Sequence, residues 1–169
     1  EVILYKDAVS KDALFRRITA IRAMLGGAEC VVCDVEALMQ LFPAAVGFIR
    51  IEKGEETDYG ALPGNLVKMG YTREYSADSA GTFAIRGDIL DIFPVGAENP
   101  VRVDFFGDTV EKIRPYDFAS GERLDEVDFL EITAATDVSF SDGERAIVAD
   151  ILSRELKTSA NIKAYERAK

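Results

Sequence analysis

The residues able to do chemistry are few and poorly assembled. Cys30-Val31-Val32-Cys33 has the C-x-x-C spacing of redox and zinc motifs. The chain contains no His, so only carboxylates could complete a zinc site, and Ser-His-Asp and Cys-His nucleophile systems are excluded. A redox-active first Cys usually sits at a helix N-terminus, where its thiolate is stabilised. Here Glu29 to Cys33 reads as a strand, in which residues three apart face opposite ways and the two sulfurs do not meet. The expectation is two small buried apolar residues. The phosphate-loop pattern G-x-x-x-x-G-K-[ST] is missing, since neither Gly54 nor Gly60 leads to Lys and Ser/Thr at that spacing. Asp125-Glu126-Val127-Asp128 resembles an acidic metal-holding box, but without a phosphate loop it reads as a solvated strand entry. Arg86-Gly87-Asp88 spells a cell-adhesion tripeptide, a match short enough to arise by chance, and Gly87 has a turn or bulge to make.

The hairpin Val101 to Arg114 is more informative. Alternation sends Val101, Val103 and Phe105 to one face, suited to a core, and Arg102, Asp104 and Phe106 to the other. Lys112 and Arg114 fit the second face. An exposed Phe flanked by Arg on a rigid sheet has the composition of a binding hot spot. The competing reading has Phe106 covering a second small core or a helix, with Arg102 paired to Asp104. Truncating side chains that face solvent is expected to change stability little.

The elements that must position these residues follow from pattern. Val2 to Tyr5 reads as a strand. Ser10 is an N-cap for a helix over Lys11 to Leu25, with Leu14, Phe15, Ile18, Ile21, Met24 and Leu25 as its apolar face and Gly26-Gly27 as its stop. After the Cys strand, Asp34 caps a short helix to Leu41, ended by Pro43. This strand–helix–strand–helix order implies an α/β layer with a parallel pair. Phe48 to Glu52 alternates as a strand, and Pro63 suits the first turn of a helix to Met69. Then the pattern is β: Thr72–Ser76, Thr82–Arg86, Ile89–Phe93, Val101–Phe106, Val110–Arg114 and Val127–Ile132, with turn signals at Asp78–Gly81 and Gly107-Asp108 and a tight turn or a bulge at Gly87-Asp88. A last helix is capped by Ser141 with Glu144, and Ile147, Val148, Ile151, Leu152 and Leu156 give its apolar face.

Composition bounds the reading. With 169 residues the chain can bury a core without disulfides. Twenty basic against thirty acidic residues give a net charge of −10 and a pI near 4.6, a poor balance for binding nucleic acid. No run of residues is long and apolar enough to span a bilayer. A start at Glu1 and an end in a helical-looking stretch (Asn161 to Lys169) lead us to expect a piece of a longer protein.

A family resemblance rests on Gly70-Tyr71, on Gly81-Thr-Phe-Ala-Ile-Arg-Gly-Asp-Ile-Leu-Asp-Ile-Phe-Pro94, on Pro100-Val-Arg-Val-Asp-Phe-Phe-Gly-Asp108, on Ile113-Arg114 and on Asp117. These segments, in this order, resemble the UvrB-homology module of the bacterial transcription-repair coupling factor (Mfd) family. UvrB carries a related block, and Ser120-Gly-Glu-Arg123 is closer to UvrB. Glu36-Ala-Leu-Met-Gln40, Phe42-Pro43 and Gly54-Glu55 look more like the coupling factor.

The resemblance implies an α+β fold, a small antiparallel sheet with a packed helix like UvrB domain 2, flanked by parts of a degenerate helicase-like α/β layer. It implies a partial α/β segment at 1–46, a docking module at 47–115 and a return into the flanking layer at 116–169. It implies a non-catalytic region that binds the repair protein UvrA through Arg86 of the Phe-x-x-Arg-Gly segment and Arg102 and Phe106 of the Arg-x-x-Phe-Phe segment. No cofactor and no membrane are expected, and the setting is the bacterial cytoplasm. The parent resembles an ATP-dependent DNA translocase that displaces stalled RNA polymerase, through domains this chain lacks. The alternatives are an intramolecular autoinhibitory element, or the equivalent fragment of UvrB.

Overall fold

The computed structural model describes residues 11–39, 46–136 and 142–156. The chain forms two compact units, 1–137 and 138–169. The first is α+β. It contains helices α1 (Lys11–Leu25), α2 (Val35–Leu38) and α3 (Leu62–Lys68), and strands β1 (Phe48–Glu52), β2 (Thr72–Arg73), β3 (Thr82–Arg86), β4 (Ile89–Phe93), β5 (Val101–Phe106), β6 (Thr109–Pro115) and β7 (Phe129–Thr133). The second holds helix α4 (Asp142–Leu156).

The central sheet has the order β2-β3-β4-β5-β6. Its β3–β6 meander is antiparallel throughout, and only β2 runs parallel to its neighbour β3. The hairpins follow from local chemistry. Arg86 pairs with Ile89, and Phe106 with Thr109, which leaves two-residue loops. Each loop starts with a glycine at positive φ, +57° at Gly87 and +61° at Gly107. That is the Gly-first pattern of a type II′ turn, whose twist matches the strands it joins. Gly87 therefore makes a tight turn and not a bulge; the irregularity falls instead between Asp104 and Phe105.

One face of this sheet is the core. Phe83, Leu90, Ile92, Val101, Val103, Phe105 and Ile113 are buried, and α3 adds Leu62 and Leu66. Helix α1 contributes Ile18 and Ile21, both buried. A two-stranded antiparallel sheet, β1 with β7, adds Ile51, Leu130 and Ile132. The outer edge of β6 is covered. Gly54 N–H donates to Val110 O (2.8 Å), Val110 N–H to Glu55 O (3.0 Å) and Val127 N–H to Ile113 O (3.0 Å). Such pairing removes an open edge that could template association. Tyr71 joins the layers: its hydroxyl donates to Thr133 O (2.8 Å) and accepts from Val95 N–H (3.1 Å). Burial pushes its pKa up to about 12.

Several expectations need correction. Glu29–Cys33 is not a strand, and Cys30 and Cys33 are exposed. A strand needs a neighbour for its backbone N–H and C=O groups, and among the described residues none pairs with this segment. The partner expected from the pattern, Val2–Tyr5, lies outside the described residues, as do Ser10, Leu41, Pro43, Ser141 and Asn161–Lys169. Asp34 does cap α2, accepting from Ala37 N–H at 2.7 Å, but the helix stops at Leu38. On α1, Met24 and Leu25 belong to the predicted apolar stripe yet are exposed, because the core beneath it ends at Ile21. The strand from Thr72 is two residues long. On α4, Ile147 and Ile151 are exposed, and Arg154 pairs with Asp150 one turn away.

Candidate protein-docking face

The sheet's second face carries the charge. Along β5, burial alternates, with Val101, Val103 and Phe105 inside and Arg102, Asp104 and Phe106 outside. Phe106 ends the strand 76% exposed, so it covers no second core. Beneath the inner face, Phe105 stacks obliquely on Tyr59 with ring centroids 4.6 Å apart.

Asp91 organises the outer face. It sits mid-way along β4 between two inward residues, Leu90 and Ile92, and its cross-strand neighbours are Ala84 and Arg102. Asp91 is only 4% exposed. Its carboxylate takes two hydrogen bonds from Arg102, Nε to Oδ1 at 2.7 Å and Nη2 to Oδ2 at 2.8 Å. This fork-to-fork geometry fixes a guanidinium more tightly than a single contact. The hydrogen bond from Arg102 to Asp91 is the main reason that the arginine's pKa rises above its ordinary value. The Arg102–Asp104 pair of the competing reading is not formed, because Asp104 lies two residues along the same strand while Asp91 lies directly across. Asp104 pairs with Arg114 of β6 instead.

Arg86, at the end of β3, reaches the same carboxylate from the other side, with Nη1 3.9 Å from Asp91 Oδ2. Its Nη2 donates to Tyr75 O at 2.6 Å, and its guanidinium lies 4.9 Å from the centre of the Tyr75 ring. Arg102 similarly lies over Tyr116, at 5.9 Å. Partial burial raises the Tyr116 pKa. One buried acid thus holds two arginines whose outer surfaces remain open, each backed by a tyrosine. Alternation picked out Arg102, the family resemblance supplied Arg86, and neither singled out Asp91, Tyr75 or Tyr116. Alternation alone flags Asp91 as an acid on the outward side of a core strand; that it lies opposite Arg102 depends on the β4–β5 register.

The arrangement offers forked donors and an aromatic, and no reacting constellation. Among the described residues no group of Cys, Asp or Glu is placed to hold a metal ion, and no helix is long and apolar enough to cross a membrane.

The family described as the UvrB interaction domain matches residues 49–138, the segment that runs from β1 to just past β7. The chain belongs to the UvrB interaction domain family. It is also similar to transcription-repair-coupling factors. One from Myxococcus xanthus is 35% identical over 153 residues, covering 86% of this chain and 13% of that protein. Those of Mycobacterium tuberculosis and Staphylococcus aureus are 33% and 35% identical over 129 and 121 residues. They cover 73% and 72% of this chain and 10% of each relative. The chain therefore spans about a tenth of the length of the relatives it matches. The UvrB interaction domain match includes the whole outer face, from Tyr75 to Arg123, with Arg86, Arg102 and Phe106 inside it.

Proposed function

We propose that this chain is a non-catalytic docking element that recruits UvrA to a transcription-repair coupling factor, through Arg86, Arg102 and Phe106. The observation that carries the reading is Phe106, a large apolar side chain held 76% exposed at the end of a core strand, on the face where Asp91 fixes Arg102 and lies 3.9 Å from Arg86. Burying such a ring against a partner contributes about 1.5–3 kcal/mol. The arginines supply forked donors to carboxylates or carbonyls at low entropic cost, because they are already held.

In this reading the docking module spans 47–115, between a partial α/β segment at 1–46 and a return into that layer at 116–169. The whole parent protein works in the bacterial cytoplasm as an ATP-dependent DNA translocase that displaces stalled RNA polymerase. Its nucleotide, polymerase and DNA contacts belong to domains outside this chain. The test is direct binding of purified UvrA to the chain, followed by calorimetry. Phe106→Ala should weaken the complex by about 2 kcal/mol or more while leaving the circular dichroism spectrum unchanged. Unchanged affinity would place the docking surface elsewhere.

A further inference from the structure

At one corner of the outer face lies a cavity of about 310 Å³ lined by Arg102, Arg114, Pro115, Tyr116, Gly121 and Arg123. Three of its six lining residues are arginines, on a chain whose net charge is −10. The fold assembles them in two steps. Arg102 and Arg114 are cross-strand partners on β5 and β6. The turn after β6 then folds back on itself. Asp117 accepts from Ser120 N–H (2.7 Å) and Oγ (2.8 Å), and Gly121 turns the chain at φ +73°. This brings Arg123 into a backbone bridge with Tyr116.

The donors in this cavity outnumber its acceptors. Arg102 is matched by Asp91, and Arg114 by Asp104. Arg123 has no ion-pair partner among the described residues, and its side chain is exposed. The Nε of Arg114 is buried with no hydrogen-bond partner. That atom is closed to water, so it is not among the donors the cavity presents. Arg123 is thus the one lining arginine with no acid paired to it among the described residues.

We propose that it receives a carboxylate side chain, an Asp or Glu of the docked protein, which takes charge-assisted hydrogen bonds from Arg123. The inference rests on the docking reading above and extends it to residues that reading does not use. Arg102 belongs to both, which makes the cavity continuous with the Arg86–Arg102–Phe106 face. A planar carboxylate has two oxygens to match the fork of the Arg123 guanidinium. A nucleic-acid phosphate is the poorer fit, because a single uncompensated cation on an acidic chain releases too few counterions to hold a polyanion.

The experiment titrates purified UvrA into the full 169-residue chain at several salt concentrations, with a random-sequence DNA duplex as a separate arm. Arg123→Ala should weaken UvrA binding about tenfold, and Arg123→Glu about a hundredfold. Both should flatten the salt dependence, and Arg123→Lys should recover part of the loss. Denaturation midpoints should stay put, since Arg123 is exposed and makes no ion pair with the described residues. If Phe106→Ala weakens binding while every Arg123 variant binds normally, docking stands and the carboxylate site is wrong. If Phe106→Ala and the Arg123 variants all bind normally, or the unsubstituted chain does not bind UvrA, the docking reading fails and this inference with it. DNA binding that Arg123→Glu abolishes, with UvrA affinity intact, makes the cavity a phosphate site and also overturns the proposal.

Discussion

Replacing Arg102 by Ala should destabilise the fold as well as the complex. An outward residue on a hairpin ordinarily changes stability by less than about 0.5 kcal/mol. Arg102 differs because the acid it holds is buried. The Asp91 side chain is 5% exposed against 38% for Arg102, so truncating the arginine strands a carboxylate inside the protein. Breaking a buried pair from one side costs about 3–5 kcal/mol. Two features reduce that here. Arg102 is partly solvated, which screens the interaction, and Arg86 remains 3.9 Å from the same carboxylate. We therefore expect a loss of about 2 kcal/mol, which in a chain of this length lowers the melting temperature by about 4–8 °C. The assay is a double-mutant cycle of Arg102→Ala, Asp91→Ala and both, followed by thermal and urea denaturation. The double variant should be more stable than the sum of the single losses predicts, with a coupling energy of about 1–2 kcal/mol. UvrA binding read on the same proteins should fall steeply for both variants lacking Arg102. It should fall mildly for Asp91→Ala, which keeps the arginine but releases it from its fixed pose. A denaturation midpoint for Arg102→Ala within error of the unsubstituted chain, or strictly additive losses, would refute the argument that Asp91 depends on Arg102.

Three further outcomes are expected. Phe105→Ala should cost about 3–5 kcal/mol of stability, because Phe105 is core and stacks on Tyr59; urea denaturation beside Phe106→Ala, expected to be near neutral, checks which way the strand faces. Gly81→Ala should cost about 2 kcal/mol in the same measurement: φ is +79°, and a Cβ would come within 2.6 Å of Phe15 Cζ, on α1. Raising the pH should destabilise the protein through Tyr71. Its pKa rises from about 10 in the unfolded chain to about 12 in the fold, so the stabilisation is complete below about pH 10 and is lost as pH climbs through 12. That loss amounts to about 3 kcal/mol, and Tyr71→Phe, less stable at neutral pH, should show a flatter decline over that range.

The sequence determined the elements that local chemistry controls. The period-2 alternation of Val101–Phe106 fixed which side of β5 is core, and the Gly-Asp pair after Phe106 marked a hairpin, while the pair after Arg86 is compatible with a turn or a bulge. Helical spacing and a following Gly-Gly gave α1 its limits. These signals sit within a few residues of one another, so no distant partner is needed to read them. They were enough to set Arg102 and Phe106 apart from the core.

The tertiary structure decided what depends on pairing. The same apolar texture that made Glu29–Cys33 resemble a strand carries no information about whether a neighbouring strand is there to satisfy its backbone, and Val32 is left 93% exposed. Asp91 pairs with Arg102 and not Asp104 with Arg102, because registry across β4 and β5 outweighs proximity along the chain. Arg123 meets Arg102 and Arg114 only after the turn at Gly121 folds back onto β6. Alternation assigns a side chain to a face, but the charge it meets there is set by strand order and register, which are collective properties of the packed sheet.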